Sequence, residues 1–156
     1  MGTINSTRLD GELLYQIISQ RPDYSFVFTG PEDDGFRQHR IHSLKNAYFT
    51  GQKKVDELPA YITAYDVCIN PQMVNDITDG NYPLKIDEYL AMGKPTVATS
   101  THTMRHIFAD HTHLATNPEE WLSAIDRAVT EADDKELAKQ RLSLIHISEP
   151  TRLQLI

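Results

Sequence analysis

The sequence has almost no cysteine and no long apolar run, so it has little that could form disulfides or cross a membrane. Its 156 residues include one Cys, one Trp and 8% aromatic residues in all. A single cysteine cannot form an intrachain disulfide, and Cys68 lies in an apolar segment where we expect it to be buried. No apolar run approaches the roughly 18 residues of a membrane span, and no signal peptide is visible, so we expect a cytoplasmic protein without a transmembrane segment.

Positive charge is also scarce. The chain carries 15 Lys and Arg against 22 Asp and Glu, for a net charge of −7. This excess of acid argues against a nucleic-acid backbone as partner, although a local site can still bind a small anion. With 40% hydrophobic and 24% charged residues, the chain suits one soluble domain with a single core.

Short apolar runs alternate with amphipathic helices along the chain. The predicted strands are residues 25–29, 47–50, 67–70 and 96–99. This alternation is typical of an α/β fold, a doubly wound parallel sheet with helices on both faces. Ligands of such sheets bind beyond the carboxyl ends of the strands, where we expect the loops that contain Gly30, Gly51 and Gln52.

Residues 81–99 have the features of an anion-binding helix followed by a strand. Pro83 favours a first helical turn, which would leave the N–H groups of Leu84 and Lys85 free to bind an anion. Glu88 follows about 6 Å further along the helix axis, at 1.5 Å per residue. A carboxylate there can accept two hydroxyl hydrogen bonds while a phosphate lies at the helix N-terminus. This geometry suits a nucleotide, with its diphosphate at the dipole and its ribose at Glu88.

This segment resembles the donor-nucleotide segment of family 4 glycosyltransferases, enzymes of the GT-B architecture. In that family a Glu is followed, after seven residues, by a second Glu in a helix that ends in Gly-x-Pro-Val-Val-Ala. The second Glu corresponds to Glu88 and the exit strand to residues 93–99, whereas the first Glu corresponds to Gly80. Because the first Glu contacts the donor sugar in the family, the resemblance supports nucleotide binding and says nothing of the sugar.

The resemblance covers roughly residues 2–132 and implies that residues 1–141 are the C-terminal, donor-binding domain of a glycosyltransferase. The donor would be a nucleotide-diphosphate-sugar, and no other cofactor is implied. A basic pair of the family corresponds to Thr3 and Arg8, so only Arg8 is expected to contact the diphosphate. The acceptor domain would precede this sequence. No residue is identified as catalytic, and we expect the chain alone to transfer no sugar. The full enzyme is compatible with peripheral membrane association.

Each candidate residue also has a structural explanation. The helix dipole alone favours an acid such as Glu88 in a first turn, and Lys85 can be a solvated surface residue. Tyr82 precedes the helix and is more often a packing aromatic than a base-stacking one. His102 and His106 have the i, i+4 spacing of metal ligands but lack an accompanying Glu or Cys, so we predict no metal site.

Two other classes of function remain open at this point. One is a non-catalytic α/β module that binds nucleotides or resembles a response-regulator receiver. A receiver needs an Asp after its third strand and a Lys after its fifth, but the sequence has Asn70-Pro71 and Ala98-Thr99 at these positions. The other is half of a GT-B-type sugar-nucleotide epimerase, which would share the ribose-binding acid but carry out hydrolytic chemistry.

Both ends of the sequence depart from the pattern between them. No apolar strand precedes the helix predicted from Asp10, so we expect a sheet that is incomplete at its N-terminus. Residues 142–152 resemble a translated sequencing-library adapter, and residues 142–156 are predicted to be a non-native or unstructured tail. Such segments are excluded from reasoning about the fold.

Deletion of residues 142–156 is therefore expected to leave the melting temperature unchanged or to raise it. Thermal unfolding of the full and the shortened chain would check this expectation. A fall of several degrees, which corresponds to about 1 kcal/mol for a domain of this size, would show that a genuine C-terminal element had been removed.

Overall fold

The computed structural model describes residues 2–143. Its strands are β1 (Phe26–Thr29), β2 (Ala47–Gly51), β3 (Cys68–Asn70), β4 (Thr96–Thr99) and β5 (His113–Ala115). Its helices are α1 (Gly11–Gln20), α2 (Asp34–Arg37), α3 (Leu58–Ala64), α4 (Leu84–Ala91), α5 (Pro118–Thr130) and α6 (135–143). Short 3₁₀ turns span Arg40–Ser43 and Val55–Glu57, and a π-helical turn spans Met104–Phe108. None of the helices in residues 2–143 combines the length and the hydrophobicity that a membrane span requires.

The strands pair in parallel, as predicted, but they form two sheets instead of one. β1 pairs with β2, and β3, β4 and β5 form a second sheet in that order. The four predicted strands agree with the observed ones to within one residue at each end. The difference lies between β1 and β3, because these two strands face each other without pairing.

Helices cover both faces of the sheets, which confirms the doubly wound architecture. One buried cluster joins α1 and α5 to the sheets and includes Leu14, Ile17, Val97, Trp121 and Ile125. The cluster on the other face includes Ile62, Ile86, Leu90, Ala98 and Phe108. Adjacent residues of a strand point to opposite faces, so Val97 belongs to the first cluster and Ala98 to the second.

Two helices begin where the sequence places a capping residue. The side chain of Asp10 accepts the N–H of Leu13 at 3.0 Å, and that of Asn117 accepts the N–H of Glu120 at 2.9 Å. These contacts satisfy N–H groups that a helix start leaves unpaired. Cys68 is buried as expected, and its burial raises the pKa of the thiol to about 12.

Arg141 anchors α6 to the rest of the domain. Its guanidinium donates to the carbonyl of Gly93 at 3.1 Å and to the carboxylate of Glu131 at 2.8 Å. Glu131 also pairs with His113 of β5 at 3.0 Å. Only 6% of Arg141 is exposed, so this charged side chain is held by its partners in a nearly dry position.

The helix α6 continues to Ser143, and the predicted start of the tail after Arg141 therefore falls inside it. Leu142 is half-buried in this helix. The remainder of the predicted tail, residues 144–156, lies outside the described residues.

Replacement of Arg141 by Ala is expected to lower the free energy of unfolding by about 2–4 kcal/mol, because Glu131 and the Gly93 carbonyl lose a charged donor in a mostly buried place. Urea denaturation would measure the change. Arg127→Ala is the matched control, since Arg127 is exposed on α5 and should change stability by less than about 0.5 kcal/mol. Equal effects of the two substitutions would contradict the anchoring role.

Candidate functional site

The start of α4 meets the loops after β1 and β2 at the carboxyl rim of the sheets. Lys85 packs against Gly2, so closely that a Cβ on Gly2 would lie 3.1 Å from Lys85 Cε and 3.3 Å from Nζ. Gly2 in turn lies against Gly30, where a Cβ would be 1.9 Å from the Gly2 carbonyl oxygen. The N–H of Gly30 donates to the carbonyl of Gly51 at 3.0 Å. These contacts form one continuous rim.

Glycine is required at both turns of this rim. Gly30 has φ +142° and Gly51 has φ +74°, conformations that residues with a side chain rarely adopt. Gln52 follows in an exposed position. The structure thus places all three residues at the carboxyl ends of β1 and β2, and their contact with a ligand stays a prediction.

The N-terminus of α4 is uncapped. Pro83 is the N-cap residue, and no side chain caps the helix. The N–H of Ile86 donates to the carbonyl of Pro83 at 2.9 Å, whereas those of Leu84 and Lys85 find no acceptor within residues 2–143. Pro83 is buried, and the Leu84 side chain is 67% exposed. Free N–H groups at the positive end of a helix dipole can bind an anion.

Three charged side chains accompany this helix start. Burial lowers the pKa of the Lys85 ammonium, the nearby Glu88 carboxylate raises it, and the Arg8 guanidinium lowers it further. The carbonyl of Arg8 accepts the N–H of Met73 at 2.8 Å, and this hydrogen bond holds Arg8 against the loop after β3. Glu88 is exposed, and its carboxylate forms no hydrogen bond or ion pair with the part of the chain that the structure describes. The site therefore combines two cations with one available carboxylate.

Tyr82 has a structural role at the same place. Its hydroxyl donates to the two carboxylate oxygens of Asp87 at 3.0 and 2.9 Å, and its ring lies 5.6 Å from that of Phe108. These contacts hold the residues before α4 against the π-helical turn. Tyr82 as a whole is 41% exposed, and stacking of its ring on a nucleotide base stays a prediction.

Sequence reasoning missed several residues that shape the rim. Gly2 is the central contact between Lys85 and Gly30, yet nothing in the local sequence indicates this long-range approach. Asp79 accepts the N–H of His102 at 2.8 Å and joins the loop after β3 to the segment after β4. The Asp79-Gly80 pair is a turn signal that could have directed attention to this position. The Thr99 hydroxyl, at the end of β4, is buried without a hydrogen-bond partner among the described residues.

Comparison with known proteins gives the family. Residues 12–131 match the family described as Glycosyl transferases group 1. TuaH of Bacillus subtilis strain 168, assigned as a teichuronic acid biosynthesis glycosyltransferase, is 26% identical over 144 residues. The match covers 88% of this chain but 36% of TuaH, so the chain spans about a third of that relative.

Solved structures show the same fold. Sucrose-phosphate synthase from Thermosynechococcus elongatus aligns with a TM-score of 0.71 at 20% identity, over 99% of this chain and 43% of the synthase. Anabaena HepE in complex with UDP and glucose aligns with a TM-score of 0.64 at 17% identity, over 95% of this chain and 43% of HepE. Since the family match extends over most of the sequence, this chain belongs to the group 1 glycosyl transferases.

Proposed function

We propose that this chain is the donor-binding half of a glycosyltransferase, which transfers a sugar from a nucleotide-diphosphate-sugar to a glycan or another acceptor. The observation that carries the proposal is the uncapped start of α4 beside Lys85, with Glu88 further along the same helix and near enough to act on the charge of Lys85. The family supports sugar transfer and disfavours the receiver-like alternative. HepE, which has the same fold, is described in complex with UDP and glucose, and this supports a nucleotide-linked donor.

In the proposed binding mode, the diphosphate lies at the N–H groups of Leu84 and Lys85. The Lys85 ammonium and the Arg8 guanidinium neutralise its charge, and the ribose hydroxyls donate to Glu88. Gly30, Gly51 and Gln52 would line the remaining side of the rim. Tyr82 would border the site from its position before α4.

This arrangement suits the departure of a nucleoside diphosphate. When the bond between the sugar and the diphosphate breaks, the electron pair and the developing negative charge stay on the diphosphate. In this binding mode the helix dipole and the two cations would lie where that charge develops, and preorganised charge of this kind stabilises a transition state. The acceptor hydroxyl and the group that takes its proton would come from a separate acceptor domain.

The acceptor is proposed to be a growing polysaccharide, by extension from the assignment of TuaH to teichuronic acid biosynthesis. Because the chain spans 36% of TuaH, the acceptor domain is part of this proposal. We further propose that the reaction takes place in the cytoplasm.

Glu88→Ala is expected to weaken UDP binding by about 1.5–3 kcal/mol, or about 10- to 150-fold, the range for hydrogen bonds to a charged group. Titration calorimetry with UDP would measure the change. Glu136→Ala is the matched control, because Glu136 is an exposed glutamate on α6, which packs at Gly93 near the opposite end of β4. Unchanged affinity in Glu88→Ala would remove Glu88 from the site.

UDP affinity should also fall as the pH rises into the alkaline range. The pKa of Lys85 is lowered by burial, and the diphosphate binds the charged ammonium, so binding weakens as the pH passes through that lowered pKa. Lys85→Met should bind UDP about tenfold more weakly at neutral pH and show no such fall, whereas Lys85→Arg should retain affinity at high pH. An identical pH profile for Lys85→Met would assign the pH dependence to another group.

The lowered pKa of Lys85 affects UDP binding and the stability of the fold in opposite directions as the pH rises. Between the lowered pKa and the ordinary pKa of lysine, the unfolded chain binds more protons at this residue than the folded chain does. The contribution of Lys85 to stability therefore increases with pH over this interval. A fall in UDP affinity over this pH interval could therefore not be attributed to unfolding caused by Lys85, because Lys85 makes the fold more stable as the pH rises.

A further inference from the structure

The outer edge of β5 lies along an open groove. β5 is the last strand of the second sheet, and no described residue pairs with its outer side. The groove has a volume of about 550 Å³ and lies between this strand and α5, and we call it the edge groove. Its lining includes Thr112, His113 and Leu114 from the strand side and Glu120, Ser123, Ala124 and Arg127 from the helix side.

The backbone of Leu114 faces the edge groove. The carbonyl of Ala115 accepts the N–H of Ser100 at 3.0 Å, so the backbone groups of Ala115 face β4. Successive residues of a strand in a parallel ladder face opposite neighbours. The N–H and C=O of Leu114 are therefore directed away from β4, where a further strand could pair with them.

One side of α5 borders the groove with an ordered set of side chains. Glu120, Ser123, Ala124 and Arg127 have the spacing i, i+3, i+4 and i+7, which places them on one side of a helix. The Glu120 carboxylate is held at its end of this row because it accepts the N–H of Thr116 at 2.7 Å. Arg127, at the other end, is exposed. The row thus has an acid at one end, a base at the other and two small residues between them.

This order of charges is complementary to itself. The midpoint of the row lies between Ser123 and Ala124, about 5 Å along the helix axis from each charged residue. A second α5 that ran antiparallel about this midpoint would have its Arg127 opposite Glu120 of the first, and its Glu120 opposite Arg127. The small residues at the midpoint would let the helix axes approach to the 8–10 Å of packed helices. A twofold axis produces this arrangement.

The same axis would pair the two β5 strands. A twofold axis perpendicular to the sheet and beside Leu114 sets the strands antiparallel, and each Leu114 N–H then donates to the Leu114 carbonyl of the other copy. Leu114 and Ser123 line the same groove, so one axis can serve the strands and the helices together. The two three-stranded sheets would become one sheet of six strands.

The outer edge of β2 has the opposite character. Lys45 precedes β2, and Lys53 and Lys54 follow it. Antiparallel pairing of two β2 strands would bring the lysines of one copy against those of the other, and lysines at a strand edge oppose such pairing. Residues 111–117, which contain β5, include no lysine. The distribution of charge therefore favours β5 over β2 as the edge at which copies of this chain meet.

We propose that two copies of this chain associate through the edge groove, as a twofold dimer with antiparallel β5 strands and with Glu120 of each copy paired with Arg127 of the other. The axis reverses the strand direction, so the two carboxyl rims lie at opposite edges of the joined sheet and the start of each α4 stays open. A short strand and one helix side form a small interface, for which we expect a Kd on the order of 100 µM. At the micromolar concentrations of a urea titration the chain is then monomeric, so Arg127→Ala keeps its use as a control there.

Sedimentation velocity from about 5 to 500 µM would test the charge pairing. The unaltered chain should dimerise over this range, and Arg127→Glu or Glu120→Lys should each raise the Kd about tenfold or more, because like charges then meet. An equimolar mixture of the two variants should dimerise again, since each charge finds an opposite one in the other variant. Arg37→Glu, at an exposed arginine on α2, is the matched control and should dimerise like the unaltered chain.

Three results of this experiment would overturn the proposal. One is a chain that stays monomeric throughout the range. Another is a dimer that neither charge reversal weakens, which would place the contact elsewhere. The third is a mixture that stays monomeric although both variants keep the melting temperature of the unaltered chain.

Amide hydrogen exchange tests the strand pairing without any substitution. Exchange at Leu114 should slow about threefold between 5 and 500 µM, because only about a quarter of the chain stays monomeric at the higher concentration. Phe49 is the matched control, since the Asn46 carbonyl accepts the Phe26 N–H and the alternation along β2 turns Phe49 away from β1. Equal slowing at Phe49 would show non-specific association. Protection of Leu114 at both concentrations that disappears when residues 144–156 are removed would show that the tail covers this edge. Either result would overturn the proposal.

Discussion

The close approach of two backbone segments at Gly2 and Gly30 is the constraint on which the rim depends. A side chain at Gly30 would collide with the Gly2 carbonyl, so only glycine lets the first residues cross the end of β1. That crossing brings Gly2 against Lys85 and thereby positions the start of α4. It also sets the direction of residues 2–4, which run parallel to the segment after β1. The start of α4 and the loop after β1 are thus joined through one backbone contact.

The two sheets are held together by helices instead of by strand pairing. The cluster around Trp121 contains residues of α1, α5 and both sheets, so its apolar contacts bridge the gap between β1 and β3. An ion pair supports the same junction, in which Arg21 donates to both carboxylate oxygens of Asp126 at 2.9 and 2.6 Å. The Tyr24 hydroxyl donates to Asp126 at 3.0 Å and connects the approach to β1 with α5. The fold can therefore keep its layered form although its sheet is divided.

Local signals in the sequence were enough to predict the strands and the helix starts. The run of residues 96–99 is apolar and follows a Gly-Lys-Pro break, and Asn117-Pro118 caps α5 as these residue types usually do. The parallel pairing followed from the alternation of the elements. The division into two sheets did not, because pairing depends on which strand edges meet in space.

The candidate site was predictable in part for the same reason. Glu88 and Lys85 belong to one helix, so their spacing could be computed from helical geometry. The partners of Tyr82 and the contact between Gly2 and Gly30 are formed by tertiary packing, for which a single sequence carries no local pattern. The burial of Arg141, a polar residue by type, likewise depends on partners elsewhere in the chain and has no local signal.

Lys85 stands at the candidate anion site, and its ammonium has a pKa lowered by burial. An anion bound at the rim would favour the charged form of this ammonium, and the charged form would in turn favour the anion. Proton binding and anion binding are therefore thermodynamically linked through one side chain. By reciprocity, whatever free energy the proton adds to anion binding, the anion adds to proton binding.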